Sequence, residues 1–328
     1  MYIELLSNSN KTKLDMWKAF LRKSALEPDD SVGQTVLLWE GDALVGTGSR
    51  DGNLLKCIAV DKSRQGEGLT ATIITALRKE AFSEGINHLF LYTKPQNKAM
   101  FSDLFFYPVA QTDKVLLMED RKNGINKFLE QFPTACNQGK TGCIVVNCNP
   151  FTLGHQYLIE SALKDCDNLY VFVVSEDKSR FSSDDRIEMV RQGTKHLSGV
   201  SVLPSGPYLI SSMTFPTYFL ANRESATQIQ CRLDIEIFVK YFAPRFNITT
   251  RYVGTEPVSP MTNQYNMALK KLLPMHNITL TEIPRLEISG MPISASQVRG
   301  FIDSKNIQAL KALVPDTTYE FLANKGLI

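Results

Sequence analysis

Apolar residues follow two periods along the second half of the chain. Short runs rich in Val, Ile and Leu, typical of buried strands, alternate with stretches whose apolar residues lie three and four positions apart, which is typical of helices. This alternation predicts a parallel sheet with helices on both faces. The predicted strands are 143–146, 169–174, 200–203, 248–253 and 278–283, and the predicted helices are 155–164, 184–197, 224–242, 263–273 and the helix after Ser294.

The first part of the chain has a different pattern, in which several strands follow one another with few helices between them. This predicts a mixed α/β domain. The stretch 133–141 contains Pro and Gly and is the predicted linker, so we expect two domains, 1–135 and 136–328. The predicted strands are 35–39, 43–48, 54–60, 89–92 and 114–118, and the predicted helices are 11–26, 71–82, 97–106 and 121–132.

Composition agrees with a globular protein and argues against several other classes. Of the 328 residues, 43% are hydrophobic and 21% are charged, which are ordinary values for a globular domain. The net charge of +2 gives no electrostatic reason to expect nucleic acid or an acidic membrane as a partner. No apolar run is long enough to span a bilayer, and we expect no signal peptide. The six cysteines contain no Cys-x-x-Cys pair, which favours reduced thiols in the cytoplasm over disulfides or a zinc site.

The turn after strand 143–146 carries the first group of candidate site residues. Pro150 lacks a backbone N–H and ends the strand. Gly154 lets a ligand approach the backbone closely. His155 projects its ring at the start of a helix, where unpaired N–H groups and the helix dipole favour a phosphate. The turn therefore predicts a phosphate site, although a simple helix cap would use the same residues.

A second group of candidate residues lies at 293–299. Ser294 is a good N-cap, because its hydroxyl can accept from the N–H groups of the first turn. Ser296 and Arg299 are three residues apart and share one helix face, where a hydroxyl and a guanidinium can hold a triphosphate. Three basic residues after strand 169–174 are further candidates for phosphate contacts: Lys178, Arg180 and Arg186.

In the first domain, the loop 61–70 joins a strand to a helix and contains two glycines. Such a loop exposes N–H groups at a helix start and suits a pyrophosphate. It resembles the Gln/Arg-x-x-Gly-x-Gly/Ala loop with which GNAT acetyltransferases hold coenzyme A. Gln65 and Gly68 match that pattern, Gly66 lies between them, and Thr70 stands where the family has Gly or Ala. The segment 97–101 also resembles the GNAT segment after the fifth strand.

The two groups of the second domain resemble motifs of the nucleotidyltransferase superfamily. Residues 152–155 are similar to its Thr/His-x-Gly-His motif, and residues 293–299 to its Ile-Ser-x-Ser/Thr-x-x-Arg motif. A closer resemblance, to the citrate lyase ligases, covers nearly the whole chain and is most specific between residues 143 and 300. The segments that carry it are 149–160, 174–177, 215–220, 282–285 and 293–299.

This resemblance implies both a fold and an activity. The expected fold is a GNAT-like mixed α/β domain followed by a doubly wound parallel sheet. The expected enzyme is an AMP-forming ligase that converts acetate and ATP, with Mg²⁺, to acetyl-adenylate and pyrophosphate. It then acetylates the thiol of the CoA-like prosthetic group on the acyl carrier subunit of citrate lyase. No protein metal site is expected, because the triphosphate and water would hold the Mg²⁺.

The resemblance also implies roles for individual residues. Thr152 and His155 would donate to the α-phosphate, and Arg299 would bind the leaving phosphates. The remaining expected ATP contacts are Asn149, Phe151, Gly154, Lys178, Arg180, Arg186, Ser294 and Ser296, and the expected contacts to the prosthetic group are Gln65, Gly66, Gly68 and Thr70.

Two other functions fit the same motifs. One is a pantetheine-phosphate or mononucleotide adenylyltransferase, in which a phosphate replaces acetate as the acceptor. The other is a binding protein whose first domain senses an acyl group and whose nucleotide site is silent.

Overall fold

The computed structural model describes residues 1–7, 9–134, 139–175, 179–209, 218, 223–256 and 259–328. The chain divides into two compact units. Unit 1 comprises Met1–Gly124 and Pro216–Ile229, and unit 2 comprises Ile125–Phe215 and Gln230–Ile328. The predicted boundary between residues 135 and 136 falls outside the described residues and stays a prediction. In the described part of the chain, no helix is both long and apolar enough to cross a membrane.

Unit 1 contains a seven-stranded sheet in the order β1-β2-β3-β4-β5-β7-β6. All neighbouring strands are antiparallel except β4 and β5, which are parallel. The strands are β1 (Tyr2–Leu5), β2 (Gln34–Glu40), β3 (Ala43–Asp51), β4 (Leu54–Val60), β5 (Phe90–Thr93), β6 (Tyr107–Gln111) and β7 (Leu116–Glu119), and the helices are α1 (Lys11–Lys23), α2 (Leu69–Ser83) and α3 (Lys98–Asp103).

Helix α2 packs closely on the sheet because β3 carries glycines beneath it. A Cβ atom at Gly48 would lie 2.5 Å from Cγ2 of Ile73 and 2.9 Å from Cδ1 of Leu77. Both side chains are fully buried. This close approach fixes the N-terminal end of α2, and therefore the loop 61–68, over the carboxyl end of β4.

Unit 2 contains a five-stranded sheet in the order β10-β9-β8-β11-β12, in which every pair is parallel. The chain moves outward from β8 in one direction and then returns to build β11 and β12 on the other side. The direction therefore reverses between β8 and β11, and ligands of open α/β sheets bind at the carboxyl ends of the strands at such a point. The strands are β8 (Thr141–Val146), β9 (Asn168–Val173), β10 (Val200–Pro204), β11 (Thr250–Gly254) and β12 (Thr279–Ile283).

Helices flank this sheet, and a short hairpin follows β12. One helix is irregular, since α7 passes into a π-helical turn over Phe238–Phe242 where the sequence predicts one continuous helix. The hairpin is formed by β13 (Glu287–Ile288) and β14 (Met291–Pro292). The helices from residue 124 onward are α4 (Gly124–Glu130), α5 (Leu153–Leu163), α6 (Ser183–Thr194), α7 (Arg223–Ile237), α8 (Ala243–Phe246), α9 (Pro260–Leu272), α10 (Ala295–Asp303), α11 (Ile307–Lys311) and α12 (Asp316–Asn324). The part of α7 up to Ile229 belongs to unit 1.

Candidate active site

His155 lies in the first turn of α5, and reciprocal hydrogen bonds with Thr152 hold its ring. The Thr152 hydroxyl caps the helix by accepting from the His155 backbone N–H at 3.3 Å. The Thr152 backbone N–H donates to Nδ1 of His155 at 3.1 Å. Because Nδ1 accepts this bond, the proton of the neutral ring lies on Nε2. The cap therefore makes Nε2 a hydrogen-bond donor at the carboxyl end of β8.

The surroundings of His155 keep its imidazole neutral. Burial of the ring, followed by the positive charge of Arg285, lowers the pKa of His155 to about 4. Burial and a nearby cation both disfavour imidazolium. At neutral pH the half-buried ring therefore offers a donor without a positive charge of its own.

Two of the expected substrate contacts instead support His155. Phe151 is completely buried, and its ring stacks on the imidazole with centroids 5.9 Å apart and planes 17° apart. Thr152 is only 1% exposed, and its hydroxyl oxygen lies 2.9 Å from Nδ1. We therefore assign positioning roles to Phe151 and Thr152 in place of the ATP contacts expected from the sequence.

The second motif is joined to the first by Arg299. Its Nη1 donates to the backbone oxygen of Asn149 at 2.6 Å, and its Nη2 donates to the Ser296 hydroxyl at 2.9 Å. Gly154 also lies against the second motif, since a Cβ atom there would be 3.5 Å from Cβ of Ile293. The two motifs predicted from distant parts of the sequence therefore lie side by side.

Ser294 begins α10 as predicted. Its hydroxyl accepts from the backbone N–H of Gln297 at 3.2 Å, and the Gln297 side chain accepts from the Ser294 backbone N–H at 3.0 Å. This capping box satisfies two donors of the helix start. The N-cap prediction for Ser294 is confirmed.

Asn149 connects the turn after β8 to the loop before α6. Its backbone oxygen accepts from Arg299, and its side-chain oxygen accepts from the Phe181 backbone N–H at 3.3 Å. Its side-chain oxygen is thus engaged within the protein, and its part in ATP binding stays a prediction.

The three basic candidates after β9 have different positions. Arg180 is one-third exposed and pairs with Asp303 of α10 at 2.5 Å. Arg186 is fully buried, and its Nη1 donates to Oδ1 of Asn147 and to the Val174 backbone oxygen, both at 2.6 Å. Because this guanidinium is enclosed by protein acceptors, we assign it a structural role in place of the expected phosphate contact. Lys178 lies outside the described residues.

Arg285 and Glu256 lie together at the same site; the sequence indicated the segment 253–257 as a candidate nucleotide contact but gave no role to Arg285. They follow β12 and β11, and their side chains form an ion pair. Nε of Arg285 also donates to the Thr255 backbone oxygen at 2.8 Å. Their place after the carboxyl ends of neighbouring parallel strands is the signal that would have indicated them.

The described donors suit an anionic ligand better than a bare metal ion. No group of three or more His, Cys, Asp or Glu residues within the described part of the chain could hold a metal. The side chains around the turn are instead an imidazole, hydroxyls and guanidiniums, and Glu256 is paired with Arg285. Such donors hold phosphate oxygens.

Unit 1 contains a separate cavity of about 480 Å³ between β4 and β5. Its lining includes the four predicted loop residues, Gln65, Gly66, Gly68 and Thr70. Gly66 and Gly68 have φ of +91° and +78°, and a Cβ atom at either would meet no atom within 4 Å. The glycines therefore serve the backbone conformation and leave the loop open to a ligand.

Comparison with known proteins gives matches in both units. The family model "Citrate lyase ligase C-terminal domain" matches residues 141–322, and that of the "Acetyltransferase (GNAT) family" matches residues 5–102. The expected fold class is confirmed as a GNAT-family domain followed by a citrate lyase ligase C-terminal domain with a parallel sheet.

Three relatives differ in how much of the chain they cover. The "[Citrate [pro-3S]-lyase] ligase" of Klebsiella pneumoniae is 40% identical and matches 98% of this chain and 95% of its own. The protein with the same description from Escherichia coli strain K12 is 36% identical and matches 97% and 93%. A "Phosphopantetheine adenylyltransferase" of Clostridium botulinum strain 657 is 40% identical, but matches only 23% of this chain and 46% of its own.

Proposed function

The chain belongs to the citrate lyase ligase family of enzymes, and from that premise we propose that it uses ATP to join acetate to a carrier-bound thiol. The thiol is that of the CoA-like prosthetic group on the acyl carrier subunit of citrate lyase. The products are the acetylated carrier, AMP and pyrophosphate. The single observation that carries this proposal is His155, whose neutral ring directs an Nε2–H donor from the start of α5.

In the first step, a carboxylate oxygen of acetate attacks the α-phosphorus of ATP. A new P–O bond forms, and the bond to the bridging oxygen of pyrophosphate breaks. The enzyme supplies no covalent nucleophile, so the rate depends on alignment of the reactants and on stabilisation of phosphate charge. The Nε2–H of His155 donates to an α-phosphate oxygen, and its Nδ1 remains held by Thr152.

Arg299 and Ser296 bind the β- and γ-phosphates, which leave as pyrophosphate. A guanidinium has five N–H donors, and its contacts with Asn149 and Ser296 use one at each terminal nitrogen. The remaining donors form a fork for phosphate oxygens. Gly154 allows the second motif to lie against the helix start, because a side chain there would meet Ile293 and Thr152.

Arg285 contributes to this site through its charge. It disfavours protonation of His155 and so preserves Nδ1 as the acceptor of the Thr152 N–H bond that orients the ring. The Mg²⁺ that accompanies ATP would be held by triphosphate oxygens and water, since the described side chains suit the phosphates. The ion would supply charge neutralisation to the triphosphate.

In the second step, the thiolate of the prosthetic group attacks the acetyl carbonyl carbon. The thioester C–S bond forms, and the C–O bond to AMP breaks.

We assign docking of the prosthetic group to the cavity of unit 1, with its pyrophosphate at Gln65, Gly66, Gly68 and Thr70. The open backbone at the start of α2 supports this assignment, because unpaired N–H groups there bind anions.

The proposal also includes a place of action and limits on partners. The described cysteines, Cys57, Cys143, Cys148, Cys166 and Cys231, are all free thiols, which agrees with the reducing cytoplasm. The near-neutral net charge offers no reason to add nucleic acid or a membrane as a partner.

Exchange of labelled pyrophosphate into ATP tests the first step. The expected result is exchange that requires acetate and does not require the carrier. Exchange that requires pantetheine phosphate or a mononucleotide instead of acetate would identify an adenylyltransferase. ATP binding without exchange under any of these conditions would identify a binding protein with a silent site.

A further inference from the structure

The cavity of unit 1 occupies a gap between two parallel strands that separate along their length. β4 and β5 pair only at Leu54 with Phe90 and at Leu55 with Leu91. Beyond that point, residues 58–60 of β4 and 91–93 of β5 line the cavity from opposite sides. The cavity therefore has an outer end at the glycine loop and an inner end where the strands converge.

Tyr218 lines this cavity, although it lies far along the chain from the other lining residues. It belongs to the segment Pro216–Ile229, which is part of unit 1. Its backbone oxygen accepts from the Glu27 N–H at 2.9 Å. Its ring packs against the buried apolar cluster that includes Trp17, Leu37 and Cys57. These contacts fix the position of the ring.

The backbone N–H of Cys57 donates a hydrogen bond to the hydroxyl oxygen of Tyr218. Cys57 has φ of +51°, and the register between β3 and β4 passes from Ala59 to Lys56 across an irregularity. An N–H at such a bulge is not used by the strand ladder. Burial raises the pKa of Tyr218 far above its ordinary value, so the side chain stays neutral.

The position of Cys57 places Tyr218 toward the inner end of the cavity. Cys57 lies three residues before Val60, which is about 10 Å along a strand. A ligand with its pyrophosphate at the glycine loop would extend its pantetheine arm along β4 toward this point. The terminal sulfur would therefore lie nearer to Tyr218 than any other part of the arm.

A free thiol and an acetyl thioester differ in what they require at that end. The thioester adds a methyl group and a carbonyl oxygen, which need space. The Tyr218 ring occupies part of that space. A thiol is smaller and only a weak hydrogen-bonding group, so it loses little in the same position.

We propose that Tyr218 closes the inner end of the unit 1 cavity and makes it select the free-thiol form of a pantetheine-type arm over the acetyl thioester. This inference rests on the proposed function. Unit 1 would then bind the carrier that still needs acetylation and release the carrier that has received its acetyl group. Acetyl transfer would not take place within unit 1.

Calorimetric titration of the full chain with coenzyme A and with acetyl-coenzyme A tests this selectivity. Both probes carry the pyrophosphate and the pantetheine arm. The wild type should bind coenzyme A about tenfold more tightly, since a pocket that lacks room for a small group discriminates by at least that factor. Tyr218→Ala should bring the two affinities within about twofold, chiefly through tighter binding of acetyl-coenzyme A.

Two further variants make the test specific. Tyr218→Phe keeps the ring and removes only the hydroxyl, so it opens less space than Tyr218→Ala, and its affinity ratio should fall between those of the wild type and Tyr218→Ala. Phe82→Ala alters an aromatic residue of α2 that is 75% exposed, and it should keep the wild-type ratio. The thermal midpoint of each variant shows whether it is folded.

Equal affinities in the wild type would overturn the proposal, as would failure of coenzyme A to bind. An unchanged affinity ratio in folded Tyr218→Ala would also overturn it. If Tyr218→Ala does not fold, the ratio for Tyr218→Phe decides the question. Acetate-dependent pyrophosphate exchange measured on the same wild-type sample reports the ligase proposal separately, so failure of one does not imply failure of the other.

Discussion

The backbone N–H of Thr152 donates a 3.1 Å hydrogen bond to Nδ1 of His155, and this bond determines which ring nitrogen carries the proton. The interaction is half of a capping box, in which a His side chain takes the place that Glu or Gln usually has. The residues that begin α5 therefore also orient the proposed catalytic donor. The same hydrogen bonds thus form the start of the helix and orient the ring of His155.

This relationship predicts different results for two substitutions of His155. His155→Ala removes the donor, and loss of a positioned donor to a charged oxygen costs about 10²–10³ in rate. His155→Gln supplies a side-chain N–H₂ and should retain more activity. Acetate-dependent pyrophosphate exchange measures both variants. His196→Ala is a suitable control, because His196 has a 57% exposed side chain. Exchange by His155→Ala at the control rate would exclude the assigned role.

The charge of Arg285 leads to a prediction about pH. The pKa of His155 is about 4, so its ring stays neutral as the pH falls from 8 toward that value. Arg285→Gln removes one of the two causes of the low pKa, and the pKa must therefore rise. As the pH falls, the rate of pyrophosphate exchange should therefore begin to decline at a higher pH in the variant than in the wild type.

Comparison of the two profiles, each normalised at pH 8, isolates this effect. Acetate and ATP titrate identically in both reactions, so only a protein group can separate the curves. If the two pH–rate profiles coincide on the acid side, the charge of Arg285 does not act on His155.

Much of the fold could be predicted from local patterns because buried strands and amphipathic helices have characteristic periods. All five strands of the parallel sheet were predicted, with ends differing by at most two residues. β1 and β6 were missed, and both are edge strands. β1 is mostly exposed, and β6 contains Pro108, so neither has the pattern of a buried strand.

The candidate site could be predicted only where its chemistry is local in sequence. The turn at 152–155 and the helix start at 293–299 are continuous motifs, and they lie together in the structure. Burial is not local, so the sequence did not separate Phe151 and Arg186, which are enclosed, from residues that face the site. Tyr218 reaches its position through tertiary folding, which no period or spacing indicates, whereas Arg285 follows a strand of the parallel sheet.

Arg299→Lys should weaken the use of ATP even though the charge is kept. The planar fork now reaches both Asn149 and Ser296, and a Lys ammonium cannot reproduce that geometry. Exchange kinetics should show a higher KM for ATP, a lower kcat or both, with little change in the dependence on acetate. Arg191→Lys, at an exposed position of α6, is the matched control. Unaltered ATP kinetics in Arg299→Lys would show that Arg299 only holds the two motifs together.

Two glycines of unit 2 should respond differently to an added methyl group. At Gly154 the nearest atoms to a Cβ lie at 3.5 Å, which is an ordinary contact, whereas at Gly193 an atom of Phe151 lies at 2.3 Å. Gly154→Ala should therefore fold normally but exchange pyrophosphate slowly, because the methyl group would lie 3.5 Å from the Thr152 hydroxyl oxygen, which positions His155. Gly193→Ala should lower the thermal midpoint, because overpacking a core costs about 1–3 kcal/mol. Normal exchange by Gly154→Ala would show that the packing of the two motifs at this position does not limit the reaction.

The assignment of the prosthetic group to unit 1 makes a prediction that separates the two steps of the reaction. Gly68→Asp places a negative side chain where the pyrophosphate of the group would lie, in a loop that is open around this position. Charge repulsion should slow acetylation of the carrier. Pyrophosphate exchange needs only acetate and ATP, so it should stay near the wild-type rate.

Gly52→Asp is the matched control, because Gly52 also has positive φ and open space around it, but lies in the turn between β3 and β4. The two variants thus introduce the same charge and a similar backbone strain, and only one lies on the cavity. Carrier acetylation that is equally fast in Gly68→Asp and Gly52→Asp would show that the arm docks elsewhere.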